Sequence, residues 1–321
     1  MQHQSALRQP LGLLLVALHA ALLCFATSTK AASLPSDNQA SAILQNWAKS
    51  HASAKCLEIN WISEGMPTET PAGQPILRYT MEKLKYRGIE DTLVEHFTVE
   101  KPFVRVPAPQ LQAADFEKAP NRGKVSETPT TTSYFGFGDG GINAYPTQTS
   151  TTRALEGAFR SPWIVALWLL KNPDDSLCKA AMRGSDEVVV SIADTVTITL
   201  QHAGDTWNCI EIKRNRPDGT FTWSVSFSDF RSVPGITAKL PFQRAERRLD
   251  SATAKAMLAR KDVPVVLGAP SDRFASGVRV LAELPDEAFV LSPEDAKSAE
   301  AAARADLRKK ARDASPKKIQ N

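Results

Sequence analysis

Apolar residues recur along this chain at two different spacings, and the switches between them mark out its elements. In residues 37–53, Ile43, Leu44, Trp47 and His51 share one face at helical spacing. That pattern predicts an amphipathic helix with Trp47 as its core anchor and His51 as a packed residue near its end. Period-two runs follow. CLEINWIS (56–63) reads as a strand, and PILRYTMEKLKYRG (75–88) places Leu77, Tyr79 and Met81 on one face. The parity then shifts at Lys83 so that Leu84 and Tyr86 take over, which predicts a β-bulge. DTLVEHFTVE (91–100) alternates cleanly, and Gly88 in the link predicts a hairpin. Residues 117–152 are rich in Thr, Ser, Gly and Pro and hold no period. They read as a surface loop or insertion with a short hairpin over 134–145.

The segment SPWIVALWLLKNP is apolar on nearly every side. Ser161 is placed to cap a helix, Pro162 suits its first position, and Asn172-Pro173 stops it. A helix so apolar must be buried or lie in an apolar cleft. From Glu187 onward the period is two. Runs on either side of Ala193-Asp194, then TWNCIEIKRNR, residues 221–227 and ITAKLPFQRAERR predict five antiparallel strands in a meander. Pro217-Asp218-Gly219 and Val233-Pro234-Gly235-Ile236 supply turns. SATAKAMLARK reads as a short helix, and SGVRVLAELP and EAFVLSP as closing strands. A final helix from Ser292 to about residue 313 has only Leu307 as a large apolar residue. It reads as a solvated helix or tail whose basic end (Arg308, Lys309, Lys310, Arg312) could make peripheral contact with an anionic membrane surface.

The first 31 residues add a compartment. Arg8 precedes an apolar run over residues 11–26, and Thr29-Lys30-Ala31 ends in a small residue. This is the pattern of a signal peptide, too short to span a membrane comfortably. The alternative of a lipidated Cys24 is disfavoured by Leu23, since that processing prefers a small residue there. The mature chain is therefore expected to be periplasmic or secreted. Its removal takes Arg8 and Lys30 and no acid, lowering the net charge from +4 to +2. So small a charge argues against a nucleic-acid partner. Three cysteines remain, Cys56, Cys178 and Cys209. Cys178 and Cys209 are a candidate disulfide; three buried free thiols are the other reading.

Catalytic signatures are missing. Gly136, Gly138 and Gly141 match GxGxxG in form, but Pro146 follows where a phosphate-binding helix should run. No GxSxG, HExxH or CxxC occurs, and His51, His96 and His202 have no nucleophile at a readable spacing. Asp229 beside Arg231 fits an ion pair or turn better than a catalytic carboxylate. The chain therefore reads as a non-enzyme with no cofactor and no metal site.

The stretch WSVSFSDFRSVPGITAKLPFQ, within residues 187–243, resembles the periplasmic lipoprotein carriers, the LolA/LolB-like superfamily that includes outer-membrane lipoprotein-sorting relatives. Phe227-Ser228-Asp229-Phe230-Arg231, Val233, Gly235-Ile236 and Pro241 carry the likeness. It implies an α+β fold: a strongly curved antiparallel sheet, an unclosed β-barrel whose concave face is plugged by helices. The expected division is a signal peptide (1–31), one sheet domain (32–291) and a charged tail (292–321). The resemblance further implies a binding or carrier role for an apolar ligand, such as a lipid or a lipoprotein acyl chain. Candidate lining residues are Phe159, Trp163, Leu167, Trp168, Trp207, Trp223, Val225 and Phe227. The alternative is an envelope scaffold or assembly factor that acts on protein partners through the 117–152 segment and the basic tail.

Overall fold

The computed structural model describes residues 38–65, 67–69, 74–102, 110–119, 121–136, 141–146, 160–172, 177–215, 221–250, 252–253, 256 and 267–314. All lie in one unit of the chain, Leu34–Asn321. The expected signal peptide, the candidate Phe159 and most of the expected helix at 251–261 fall outside these residues.

Helix α1 (Asn38–His51) precedes strands β1 (Cys56–Glu64), β2 (Thr68–Glu69), β3 (Pro75–Arg87), β4 (Asp91–Pro102), β5 (Asn121–Glu127), β6 (Thr131–Gly136) and β7 (Asn143–Pro146). Helix α2 (Pro162–Lys171) then leads to β8 (Cys178–Met182), β9 (Glu187–Ile192), β10 (Val196–Ala203), β11 (Thr206–Asn215), β12 (Phe221–Ser232), β13 (Lys239–Arg248) and β14 (Ser271–Leu281). The last element is α3 (Pro293–Ala314). The strands join in the order β7-β6-β5-β4-β3-β1-β14-β13-β12-β11-β10-β9-β8, with β2 pairing beside β3. The pairings are antiparallel throughout, and β7 does not pair with β8, so the sheet is open. Two meanders meet at its centre, where β1 pairs with β14.

The sheet must curl. One core cluster unites α1 and α2 with residues of β3, β4, β9, β10, β11 and β12. The two helices pack on each other, α1 touches β8, and the Trp163 ring of α2 lies 5.9 Å from that of Tyr86 on β3. Eight ladders separate β3 from β8, about 38 Å across a flat sheet. Two packed helices are only about 20 Å wide. They reach both strands because the sheet bends around them. This is the expected unclosed barrel with its helical plug.

Local chemistry sets the helix ends. The Ser161 hydroxyl accepts from the Trp163 N–H, and Pro162 occupies the first turn. The Asn172 amide donates to the Trp168 carbonyl at 2.9 Å and closes the other end. Gly235 takes φ 89° in the turn after β12, and the Ile236 N–H returns to the Val233 carbonyl. Within β12, Asp229 adopts φ 55°, and Arg231 grips its carboxylate with two hydrogen bonds of 2.9 and 2.5 Å. That ion pair is the one expected from the sequence.

Several expectations are corrected. Residues 117–152 are not simply a loop: they contribute β5, β6 and β7, with the expected hairpin present as the β6–β7 pair. These strands are polar because few of their positions are buried. No bulge occurs at Lys83, since the register of β3 with β1 and β4 is unbroken. The parity change has another cause. Leu77, Tyr79 and Met81 are buried on the outer face with Ile62, Leu111 and Phe116, whereas Leu84 and Tyr86 join the inner core. EAFVLSP forms no strand; residues Asp286–Phe289 make a 3-10 turn. Strand β8 had no counterpart in the sequence reading. The candidate disulfide is not formed: Cys178 and Cys209 are not joined to each other, nor is either joined to Cys56. Three ladders separate β8 from β11, about 14 Å, which is twice the reach of a disulfide.

The final helix does have a face to bury. Ala296, Ala299 and Ala303 are buried; the first two pack with Leu93, Phe135 and Phe289 on the outer side of the sheet. Lys124 of β5 holds Asp295 at 3.1 Å, and the Ser292 hydroxyl accepts from the Asp295 N–H. Leu307 remains 66% exposed. Ala299→Glu keeps helix propensity high but forces a carboxylate into this seam. Hydrogen exchange should show lost amide protection across α3 with β9–β12 unchanged. Unaltered protection in α3 would mean that the alanine seam does not hold the helix.

Candidate functional site

The inner face of the curled sheet presents three features: a filled core, a groove at one edge and a buried charge cluster. The core comes first because it holds most of the sequence candidates. Trp163, Trp168, Val225 and Phe227 are buried in it, and Leu167, Trp207 and Trp223 pack against it. The fold thus gathers seven of the eight candidates on one side of the sheet. Burying a tryptophan removes roughly 200 Å² from water, worth about 5 kcal/mol before entropy is counted. The two on α2 are therefore major anchors of the plug. The Trp163 indole N–H also donates to the His51 carbonyl at 3.2 Å, tying the start of α2 to the end of α1.

The groove lies elsewhere. A cavity of about 260 Å³ opens between α1, the C-terminal end of α2 and the edge strand β8. Leu44 and Ala48 of α1, Leu169 and Leu170 of α2, and Cys178 and Ala180 of β8 form its apolar walls; Gln45, Lys49 and Asn172 border it. None of the eight sequence candidates lines it. It is small for a ligand site, since such pockets start near 300 Å³. In the sequence Leu44 belongs to the apolar face of the first helix, and nothing singles out Ala48 or Ala180. The missing signal was β8: without that strand, the wall that turns a core edge into a groove has no place.

The charge cluster was also missed. Glu82 of β3 stands opposite Trp61 of β1 and His96 of β4. Its Oε2 lies 2.5 Å from Arg244 Nη2 and 2.6 Å from Arg273 Nη1, and its Oε1 lies 3.7 Å from Arg160 Nε. Arg244 is only 1% exposed, with its guanidinium 4.9 Å from the Trp61 ring centroid. Burial alone would raise the Glu82 pKa; Arg244, Arg273 and Arg160 outweigh it and bring it down to about 2. Burial lowers Arg244 to about 10 against the pull of Glu82. His96 is lowered by burial in spite of Glu82. The bulge expected at Lys83 concealed Glu82, because a bulge would have turned it outward.

His51 is 2% exposed at the end of α1. Its Nδ1 lies 2.8 Å from the Trp47 carbonyl, and its ring is 4.8 Å from that of Trp47. Burial lowers its pKa to about 4, opposed by that hydrogen bond. Of the other sequence histidines, His202 meets Trp207 in a tilted contact, with ring centroids 5.0 Å apart. Among the described residues no group of three His, Cys, Asp or Glu side chains could hold a metal ion, and no helix is long and apolar enough to cross a membrane.

No protein-family model matches the chain, and no curated protein matches it. Solved structures do. It is similar to a LolA superfamily protein from Nitrosomonas europaea at 10% identity and a TM-score of 0.43, covering 78% of this chain and 97% of that one. A DUF1329 family protein from Desulfovibrio piger is similar at 13% identity and TM-score 0.40, covering 78% and 96%. A domain described as an outer membrane lipoprotein-sorting protein, from Vibrio parahaemolyticus, is similar at 8% identity and TM-score 0.39, again covering 78% and 96%. At these identities no residue role is carried across.

Two predictions concern the buried polar groups. Glu82→Gln leaves the Arg244 charge buried beside a neutral partner, and should cost about 3 kcal/mol or more in urea unfolding at pH 7. An unchanged midpoint would show the cluster to be energetically silent. For His51 the neutral form is favoured in the folded chain, so the unfolded chain binds more protons. Stability should fall as pH drops through 6.5 and level off near 4, a loss of about 3 kcal/mol. Glu82, whose pKa is depressed from 4.5, acts at lower pH, between about 4.5 and 2. His51→Asn, which retains a donor for the Trp47 carbonyl, should flatten the pH 6.5 to 4 slope by about one proton in denaturant titrations.

Proposed function

We propose that this protein is an exported, non-catalytic binding or carrier protein for an apolar ligand, such as a lipid or a lipidated protein. The supporting observation is the groove: apolar walls from α1, α2 and β8, open to solvent on one side and bordered by polar side chains. Trp163 and Trp168 act in this reading as the fixed part of the plug, and Leu167, Trp207 and Trp223 as partly buried neighbours along which a longer chain could extend. An acyl chain entering the groove gains about 0.8 kcal/mol for each buried CH₂. Ten carbons would gain roughly 8 kcal/mol before association costs, which leaves micromolar or weaker binding. Export follows the expected signal peptide and is part of the same proposal.

The test uses 1-decanol as a neutral alkyl probe on the mature chain, by calorimetry and tryptophan fluorescence. Saturable binding is expected in the micromolar to millimolar range. Leu170→Trp, at a half-buried wall position, should fill the groove and weaken binding at least about tenfold while the fold is retained. Absence of saturable binding, or equal affinity in L170W, would remove the groove as the ligand site.

A further inference from the structure

The groove between α1, α2 and β8 carries charge of one sign. Along α1, Ser41, Gln45 and Lys49 border it at intervals of four residues, and Leu44 and Ala48 form the apolar wall beside them. Residues four apart share one face of a helix. A polar rim therefore runs along the groove from Ser41 to Lys49, about 12 Å, and ends in an ammonium. A lysine at such a rim lays its methylene stem on apolar surface and keeps its charge in water. Lys49 is exposed, and no carboxylate pairs with it among the described residues.

The walls contribute no acid. Helices α1 and α2 and strand β8 contain neither aspartate nor glutamate. Their ionisable side chains, thiols apart, are Lys49, Lys171, Lys179 and His51, the last buried and uncharged at pH 7. Lys49 lines the groove. Lys171 is engaged by Glu90 at 2.7 Å. Lys179 lies between Cys178 and Ala180, which line the groove, so its side chain leaves β8 on the other side. The carboxyl end of α2 also borders the groove, and such an end disfavours anions. There the Asn172 N–H and side-chain amide both donate to the Trp168 carbonyl, and Lys171 stands in the last turn to offset the dipole. The charge at the mouth is therefore that of Lys49.

From this arrangement we infer that the ligand of the groove is a single-chain amphiphile with an anionic headgroup, in its simplest form a fatty acid. Its alkyl chain lies between the walls of α1 and α2, and its carboxylate meets Lys49 at the rim. A cavity of about 260 Å³ falls below the range of drug-sized ligand sites and suits one chain rather than several. The inference rests on the groove being the ligand site, and adds the charge and the chain number of what enters it.

Calorimetry on the mature chain at pH 7 and low salt, with decanoate, 1-decanol and decyltrimethylammonium in separate titrations, tests this with three headgroups on one alkyl length. Decanoate should bind about threefold to fivefold more tightly than decanol, the range of an exposed ion pair, and the cationic probe more weakly than either. The gap between decanoate and decanol should close at high salt. Lys49→Glu changes an exposed side chain, and should weaken decanoate about tenfold while leaving decanol unchanged; Lys49→Arg should retain decanoate binding. Leu170→Trp should weaken decanoate and decanol alike. Equal affinity for decanoate and decanol, tighter binding of the cation, or wild-type decanoate binding in K49E would overturn the inference and leave the groove standing as a neutral apolar site. If decanol does not saturate, or if L170W binds both probes as the wild type does, the groove falls as the ligand site and this inference falls with it.

Discussion

An open sheet of this width has an oily inner face, and among the described residues two helices shield it. That mismatch governs the structure. A flat sheet would leave most of Val188, Val190, Ile198, Ile212 and Val225 wet, so burial favours strong curvature around α1 and α2. Curvature then brings together residues that a flat sheet would hold apart. Glu82 on β3 and Arg244 on β13 are three ladders distant, about 14 Å along the sheet; two long side chains on a concave wall close that gap. The helices also have finite width. Where their cover ends, at the β8 edge, the apolar wall is left partly open and becomes the groove.

The outer face obeys a different economy. Strand β1 is buried almost along its whole length, because short segments cover it from outside as well. Leu111 and Phe116 sit over one part; α3, with the Asp286–Phe289 turn, sits over another. Small residues make the α3 contact close: alanine at 296, 299 and 303 brings the backbone near the sheet without a large side chain. Arg87 ties the turn down, pairing with Asp91 at 2.9 Å and Asp286 at 2.6 Å and lying 4.9 Å from the Phe289 ring centroid. The centre of the molecule is therefore three layers deep, while its two edges are two layers or one.

The sequence disclosed whatever was governed by short-range period and by turn chemistry. The meander from Glu187, both inner helices and the Ser161 cap could be read directly, because one face of each was continuously apolar. Its failures share a cause: they lie where a strand's cover changes from one face to the other or is supplied by distant residues. β3 is apolar outward at Tyr79 and inward at Tyr86, which imitates a bulge. β5 to β7 carry few large side chains and so lack a period, yet their backbones complete ladders all the same. The alanine seam of α3 is invisible to any scale that looks for large hydrophobes. The tryptophans singled out in the sequence lie in or against the core; the groove is lined largely by leucine and alanine, and the charge cluster by residue types normally assigned to the surface, so neither stands out in the sequence.

Asp229 shows how a motif can be mistaken for chemistry. It stands in the most recognisable stretch of the chain, yet its carboxylate is occupied by Arg231 and its backbone sits in the left-handed region. Aspartate, asparagine and glycine tolerate that conformation, and branched side chains do not. The guanidinium of Arg231 in turn lies 4.6 Å from the Phe242 ring centroid on the neighbouring strand. The pair is thus a hinge pin: it fixes the corner at which β12 bends toward the turn that meets α1, where the Ala238 N–H reaches the Ser50 carbonyl. Pattern searches keyed to this stretch would retrieve chains that share a bend, whatever cargo they hold or lack.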